Sequence, residues 1–311
     1  MDAIRIIKPG LFTTIQDRGR EGYRAYGVPP SGALDRFSFY LANSLVENPW
    51  NFPAFEITLL GPKIEFLSDL AFAITGGEIE IRLNGKEVEM NQTISVKKGN
   101  FLELGFVKKG ARAYLVVSGL LDIPVALGSY STYTKGKIGG YEERQLSEGD
   151  IIKLKEIRQF VKHKEIKVNY QKNFLSPFKV DFILEKEDEL IFSEYEKFLS
   201  EIWIVKPESD RSGYRLKGIE VYPFKKREIL SEPLNTGTIQ ILKEGNPVVI
   251  LADGPTIGGY PKIGTVLVSD LDKFGQMKPG DKIIFRRVSF EEAYKKREEY
   301  IRRIENIYEL L

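Results

Sequence analysis

The 311-residue chain has no cysteine and a single histidine, His163. Without cysteine there is no disulfide, no thiolate nucleophile and no thiolate-bound zinc. A Ser–His–Asp triad would have to recruit His163, whose surroundings "VKHKEIK" read as an exposed connector, so serine-hydrolase chemistry and histidine-ligated zinc are both disfavoured. A metal would need carboxylate and carbonyl oxygens, and no clustered metal-ligand motif is present. No apolar run approaches the roughly 20 residues that span a bilayer, and the N-terminal "MDAIRIIKPG" has an acid at position 2 and no apolar signal core. The expectation is a cytoplasmic protein with no membrane contact. Neither sign of charge dominates: 46 basic and 44 acidic residues give a net +2. They are interspersed, which gives no electrostatic case for nucleic acid.

What is present is strand-rich. Short apolar runs such as "KIEFL", "LAFAITGG", "TISVKKG" and "RAYLVVSG" are punctuated by Gly, Pro, Asn and Asp. "EIEIRLNGKEVEM" reads as a hairpin turning at Asn84-Gly85. Three segments recur later in the chain and in the same order: "RLNGKEV" (82–88) as "RLKGIEV" (215–221), "KKGARAYLVVSG" (108–119) as "KEGNPVVILADG" (243–254), and "LSEGDIIKL" (146–154) as "MKPGDKIIF" (277–285). Shared turn chemistry is the plain alternative, but collinear matches favour a duplicated unit. The expected fold is mainly β, two tandem β-barrel subdomains with a few peripheral helices, each barrel closing to remove its edges.

The expected boundaries are an N-terminal barrel over 1–155 with a helix at 31–46, a linker over 156–178, a second barrel over 179–288 and a C-terminal helix over 289–311. Ser31 is the expected N-cap of the first helix, with Leu34, Phe37, Leu41 and Leu45 on its apolar face. A further helix is expected in "EDELIFSEYEKFLSEIW", with Ile191, Tyr195, Phe198 and Ile202 on one face. The last helix opens with a capping box, Ser289 and Glu292; its expected stripe is Phe290, Ala293/Tyr294, Ile301, Ile304 and Tyr308, docked on the chain's own fold. The basic linker reads as a solvated connector, with an anion or RNA contact as the alternative.

Three polar, Gly-rich segments are unusual for plain scaffold. "TTIQDRGREGYRAYGVPPSGALD" (13–35) gathers Asp17, Arg18 and Arg20 before a helix start at Ser31-Gly32, where backbone N–H groups are candidates for an anion. "ALGSYSTYTKGKIGGYEERQLSEGD" (126–150) supplies the hydroxyls of Ser129, Ser131 and Thr132, and Gly139-Gly140 permits a close backbone approach. Serines without a base do not make a nucleophile. "SDRSGYRL" (209–216) places Arg211 and Arg215 four apart, on the same side of an extended strand, suited to a carboxylate or phosphate. "LADGPTIGGYPKIGTVLVSDL" (251–271) joins two apolar runs by a connection longer than a hairpin needs, and it carries Tyr260 and Lys262; a lysine there can polarise a carbonyl or, if desolvated, act as a base. Ordinary surface ion pairs remain an alternative for each of these charges. There is no P-loop and no Rossmann fingerprint, and "GQMKPGD" lacks the Ala-Met-Lys-Met turn that carries biotin.

The same segments, with "FEITLLGPKIEF", "GARAYLVVSGLLDIP", "GTIQ" and "PGDKIIF", fall in one family order over Ile4–Val288. The chain resembles the biotin-dependent carboxyltransferase-domain family, also called allophanate hydrolase subunit 2 or KipA-like, which includes the C subunit of the bacterial 5-oxoprolinase and the carboxyltransferase domain of urea carboxylase. Its SDR-x-G-x-R-L pattern maps onto Ser209, Asp210, Arg211, Gly213, Arg215 and Leu216. GGYPK maps onto Gly258, Gly259, Tyr260, Pro261 and Lys262, and QD-x-GR onto Gln16, Asp17, Gly19 and Arg20. Departures are Ile257 for a usual Thr, Ser212 for Met, "ILKEG" where a proline pair is expected, and Glu143 where Gly is common.

The resemblance implies two cyclophilin-like barrels with a substrate cleft between the halves. It also implies a subunit of an ATP-driven enzyme that opens the lactam 5-oxoproline to L-glutamate with a KipI-like B subunit and a lactam-utilisation-type A subunit. Its length, without a fused biotin carboxylase or carrier, favours this member of the family. Lys262, Tyr260 and Asp253 are then the expected catalytic groups. Arg211, Arg215, Asp210, Gln240, Gly258, Gly259, Asp17, Arg20, Ser31, Ser129 and Ser131 are the expected substrate-binding groups, with Asp17 and Asp253 orienting them or holding Mg²⁺. ATP and Mg²⁺ are the expected cofactors, at a site possible on or shared with a partner subunit. The alternatives are carboxyl transfer to urea or a related amide from biotin carried on another chain, and a regulatory protein that binds a KipI-like kinase inhibitor.

Overall fold

A computed structural model describes residues 1–158, 161–166, 174–184, 195–222 and 230–311. The chain divides into two compact units: Met1–Glu21, Ser31–Lys172 and Ile304–Leu311 form the first, and Gly22–Pro30 with Asn173–Arg303 the second. The fold is mainly β, with four α-helices among the described residues: α1 (Arg36–Leu45), α2 (Tyr195–Ser200), α3 (Val268–Gln276) and α4 (Phe290–Glu305). Among those residues no helix is long and apolar enough to cross a membrane.

The first unit is a ten-stranded sheet. Its spine is an antiparallel pair of long strands, Leu70–Leu83 and Phe101–Val117, running in register from Phe72↔Val117 to Leu83↔Leu102 with shifts between Gly76 and Ile81 that bend it. The first of these strands ends in the expected hairpin with the short strand Lys86–Glu87: Leu83 faces Lys86, and Asn84 and Gly85 have φ of 50° and 80°, the signs a type I′ turn requires. One face of the sheet buries Ile4, Ile15, Ile57, Phe66, Phe72 and Leu115. The other is covered by α1 through Phe39, Ala42 and Leu45, which pack on Ala73, Tyr114 and Val116. Burial on both faces explains why "LAFAIT" and "AYLVV" are continuous apolar runs rather than alternating ones. The opposite side of α1, Phe37 and Leu41, is closed by Ile307 of the C-terminal segment.

The second unit is a closed seven-stranded barrel. Its order is Phe178–Leu184, Lys262–Val266, Thr238–Ile241, Pro247–Ile250, Gly213–Lys217, Trp203–Val205 and Lys282–Arg287, closed by parallel pairing of the first and last. Phe182, Phe198 and Phe285 fill it, with ring centroids 5.1–6.0 Å apart. The barrel order explains the long connection after Ile250. Pro247–Ile250 and Lys262–Val266 are not neighbours; both pair with Thr238–Ile241, one on each side, so the chain must cross over that strand.

The repeat is visible in local geometry. Gly149 and Gly280 have φ of 87° and 90°. The aspartate after each caps the turn, Asp150 accepting from Ser147 N at 2.7 Å and Asp281 from Lys278 N at 2.8 Å. A barrel or sheet strand starts directly after both.

Several local expectations are corrected. The first helix starts at Arg36, not Ser31. Asp35 is its N-cap, accepting from Ser38 N at 3.1 Å, while Ser31 has φ of 55° and lies outside the helix. Asp35 wins because its backbone is held by Tyr114, whose hydroxyl accepts from Asp35 N at 2.8 Å. Residues 161–166 are exposed or half-buried, and Thr93 N donates to Lys164 O and Ile166 N to Asn91 O; residues 159–160 and 167–173 lie outside the described residues. The helix expected around Tyr195 is described only as α2, with Ile191 outside the described residues; Phe198 is buried, Ile202 is exposed and Trp203 opens a strand. On α4, Phe290 and Tyr294 face solvent and Tyr300 is the buried residue. The docked face is set by Asp181, which receives Arg286 and α4's Lys296. Ser289 caps α4 as expected, accepting from Glu292 N at 3.1 Å.

Candidate functional site

The sequence-predicted residues gather in two clusters, one within each unit. In the first unit they form a clasp around a buried carboxylate. Asp17 Oδ1 accepts from Gly19 N at 2.8 Å, from Ser129 Oγ at 2.6 Å and from Ser131 Oγ; Oδ2 accepts from Tyr130 N at 2.7 Å. Arg20 donates to Ser31 Oγ at 3.0 Å and to Ser131 O. Gln16 reaches Thr132 O at 3.1 Å and accepts from Gly32 N. Asp17, Arg20, Ser31, Ser129 and Ser131 are all buried. The clasp joins residues 16–20 and 31–32 to loop 129–132 and covers the sheet's edge strand Phe12–Gln16, where Thr132 N donates to Ile15 O.

Two expectations for this segment change. The N–H groups before α1 are not open to an anion: Gly32, Ala33, Leu34 and Asp35 donate respectively to Gln16 Oε1, Asp17 O, Glu56 Oε2 and the Tyr114 hydroxyl. The close approach permitted at Gly139-Gly140 is to the chain itself, since a Cβ on Gly140 would lie 1.9 Å from Thr132 Oγ1.

The second cluster surrounds the long connection. Arg211 and Asp253 form a buried pair, Nε to Oδ2 at 2.7 Å and Nη2 to Oδ1 at 3.2 Å, with both side chains under 8% exposed. Backbone bonds lock the same two loops: Asp253 N donates to Arg211 O and Leu251 N to Ser212 O. Asp210 turns its loop by accepting from Ser212 N at 2.7 Å. Arg211 and Arg215 do not share a side as expected. Arg211 precedes the strand and is buried, whereas Arg215 lies on Gly213–Lys217 and is exposed. Through Nε and Nη2 the guanidinium of Arg211 ties its loop to that of Asp253.

Lys262 begins its strand beside Gln240. Its Nζ lies 2.7 Å from Glu232 Oε2, the lysine side chain 14% exposed and the glutamate 52%. Glu232 sits on a two-stranded ribbon, Glu232–Pro233 against Ile257–Gly258. Gln240, itself buried, donates to Tyr260 O at 3.2 Å, which ties the turn to the barrel wall. Gly258 must lack a side chain, because a Cβ would fall 2.8 Å from Leu234 Cδ1 and 2.9 Å from Gln240 Nε2. Gly259 continues the turn half-buried, and the Tyr260 side chain is 45% exposed. The segment Gly22–Pro30 belongs to this unit, anchored by Arg24, which donates to Leu234 O and reaches Thr236 Oγ1 at 3.5 Å.

Mg²⁺ does not fit the two carboxylates expected to hold it. Asp17 already receives four donors, three on Oδ1 and one on Oδ2, and both oxygens of Asp253 face Arg211. Among the described residues no group of three or more Asp, Glu or His side chains is placed to hold a metal ion.

Sequence reading missed a buried network behind α1. Glu56 Oε2 accepts from Leu34 N and the Tyr114 hydroxyl at 2.9 and 2.8 Å, and Arg112 Nε lies 3.5 Å from Glu56 Oε1. Burial, then the charges of Glu56 and Asp35, push the Tyr114 hydroxyl well above its usual pKa. The available signal was a charge inside an apolar run, Glu56 in "AFEIT". It missed Glu232 and Arg24 as well, which stand in no distinctive pattern.

A closed barrel, a related open sheet and two loop clusters of this make define a two-subdomain β protein of one class. Residues 26–287 match the family described as carboxyltransferase domain, subdomain A and B, and the chain belongs to it. The chain is 35% identical to the C subunit of the Escherichia coli 5-oxoprolinase, over 98% of this chain and 97% of that one. It is 37% identical to the urea amidolyase of Saccharomyces cerevisiae over 94% of this chain, yet spans only 17% of that protein. Among solved structures, the K. lactis urea amidolyase superposes with a TM-score of 0.88 at 33% identity, over 98% of this chain and 20% of that one.

Proposed function

We propose that the chain is the C subunit of an ATP-dependent 5-oxoprolinase, which opens 5-oxoproline to L-glutamate together with separate A and B subunits. The observation that carries this reading is the end-to-end match to a 5-oxoprolinase C subunit, 98% of one chain against 97% of the other. A lactam carbonyl is a weak electrophile, and its opening places negative charge on the former carbonyl oxygen. Preorganised donors at that oxygen supply the largest single contribution to such a reaction.

In the second cluster Lys262 is the cation for that charge, held at the start of a barrel strand and so fixed in direction. Tyr260, two residues earlier in the chain and 45% exposed, supplies a hydroxyl. Arg215, exposed on the barrel's surface, offers a guanidinium to a carboxylate. The Arg211–Asp253 pair and Gln240 position the two loops and touch no reacting atom. The nucleotide and its Mg²⁺ belong, in this reading, to a site on or shared with a partner subunit; Asp17 and Asp253 are already engaged by donors of their own chain.

The test is co-expression with the encoded A and B subunits, followed by an assay of ATP-dependent glutamate release from 5-oxoproline. Release that needs all three chains is expected. Lys262→Ala is expected to abolish it and to change the melting temperature by only a few degrees, as suits a half-exposed ion pair of about 0–1 kcal/mol. A complex that assembles without turnover would favour a second reading, carboxyl transfer to an amide, which the likeness to urea amidolyase supports.

A further inference from the structure

Arg24 carries a charge that its own chain leaves uncompensated. The guanidinium is half-buried, donates to Leu234 O and reaches Thr236 Oγ1 at 3.5 Å. Among the described residues no carboxylate is paired with it. Burial lowers its pKa, the mark of a cation partly desolvated with no anion to offset the cost. Much of its donor fork is left over.

Arg24 opens the 3₁₀ turn Arg24–Tyr26, set between Gly22 and Gly27 with φ of 87° and 79°. Its acceptor Leu234 directly follows Glu232–Pro233, and Leu234 N donates to Thr256 O, beside the opposite ribbon strand Ile257–Gly258. The turn and the ribbon thus form one stretch of the barrel unit's surface. Both present apolar side chains to water: Tyr26 is 81% exposed and Ile257 61%, and isoleucine stands at 257 where the resemblance read from the sequence expects threonine. Among the described residues no further strand pairs with the ribbon, and a Cβ on Gly22 or Gly27 would meet nothing within 4 Å. The surface is open rather than enclosed, which suits a macromolecule better than a small molecule. An arginine beside a tyrosine is the composition of protein–protein hot spots, and Ile257 adds apolar area.

We infer that the turn Arg24–Tyr26 and the ribbon strand Ile257–Gly258 form a docking surface for a partner subunit, which supplies a carboxylate to Arg24 and apolar side chains to Tyr26 and Ile257. The charge is what commits the surface to an acidic partner. A carboxylate completes the guanidinium's fork, and part of the desolvation cost is already met within this chain. Ile257–Gly258 runs directly into the turn that carries Tyr260 and Lys262, so a partner docked here stands next to that turn without replacing any group in it. The inference rests on the oxoprolinase reading only for which partners to try, and its test reads assembly rather than turnover.

The full chain is titrated with the purified A and B subunits by calorimetry at low and high salt, and the mixtures are then assayed for glutamate release. Arg24→Gln should weaken assembly at least about tenfold at low salt and flatten its salt dependence, which a merely structural arginine would not do. Tyr26→Ser, a change at an exposed side chain, should weaken it about tenfold. Melting curves of the free chain check that both variants fold. Unchanged affinity in either variant, or no complex with the unaltered chain, would overturn the inference. Self-association of the chain that both variants abolish would give the surface to a second copy and overturn it too. Glutamate release that persists with unchanged affinities would sink the inference and leave the oxoprolinase reading standing. Assembly that both variants weaken, in a complex without turnover, would uphold the inference and count against that reading alone.

Discussion

Arg211 illustrates how a residue's type and its use diverge. Its guanidinium suits a bidentate anion, and Asp253 of the same chain meets it at two nitrogens. With both side chains buried, removing one partner strands the other's charge. Arg211→Met is expected to cost about 3–5 kcal/mol, read as a fall in the denaturation midpoint, whereas Arg211→Met with Asp253→Leu should recover most of it. Glu143 shows the converse. The resemblance read from the sequence expects glycine there, and Glu143 has a left-handed φ of 59°, a geometry glycine adopts without the strain a side chain brings. The departure lies in a turn and leaves the clasp around Asp17 intact.

At the scale of elements, α4 is fastened by charge as much as by apolar contact. Burial by itself would raise the Asp181 carboxyl, but hydrogen bonds from Arg286 and Lys296 outweigh it and hold the group at about 2, below its ordinary 3.8. A carboxylate with a depressed folded pKa stabilises the fold above its unfolded value and loses that contribution as the pH falls through the folded one. Stability from this site is therefore complete above about pH 5 and lost as the pH falls to about 2 and below, an effect on the order of 1–2 kcal/mol once solvent screening is allowed for. Asp181→Asn should flatten that part of the stability–pH curve, measurable by denaturant titration at pH 2–5. The α1 boundary was misplaced for an elemental reason: Ser31 looks like a cap in sequence, but the true cap is chosen by Tyr114 from a distant strand.

For the whole molecule, two separate cores predict two separate centres of slow exchange. Amides of Ala113–Val117 and Leu70–Thr75 in the first unit, and of Thr238–Ile241 and Val248–Ile250 in the barrel, lie on strands paired on both sides. They should exchange slowest, and those of the edge strands Gly119–Leu121 and Lys86–Glu87 should exchange early, as hydrogen-exchange mass spectrometry would show. Early exchange across Val248–Ile250 would contradict closure of the barrel.

The sequence by itself determined the β class, the Asn84-Gly85 hairpin, the repeated Gly-Asp turns before strands 151–157 and 282–287, and the family, because each is written in residues close together along the chain. It also placed Tyr260 and Lys262 in a connection too long for a hairpin. Only the tertiary structure decided what that length is for, a crossing of Thr238–Ile241. Tertiary structure also decided which charges are occupied: Asp17 by two serines more than a hundred residues away, Arg211 by Asp253, and Lys262 by Glu232. Partners in an ion pair or a buried hydrogen bond are chosen by distance in space. A closed barrel brings residues far apart in the chain within 3 Å, and no periodicity records that.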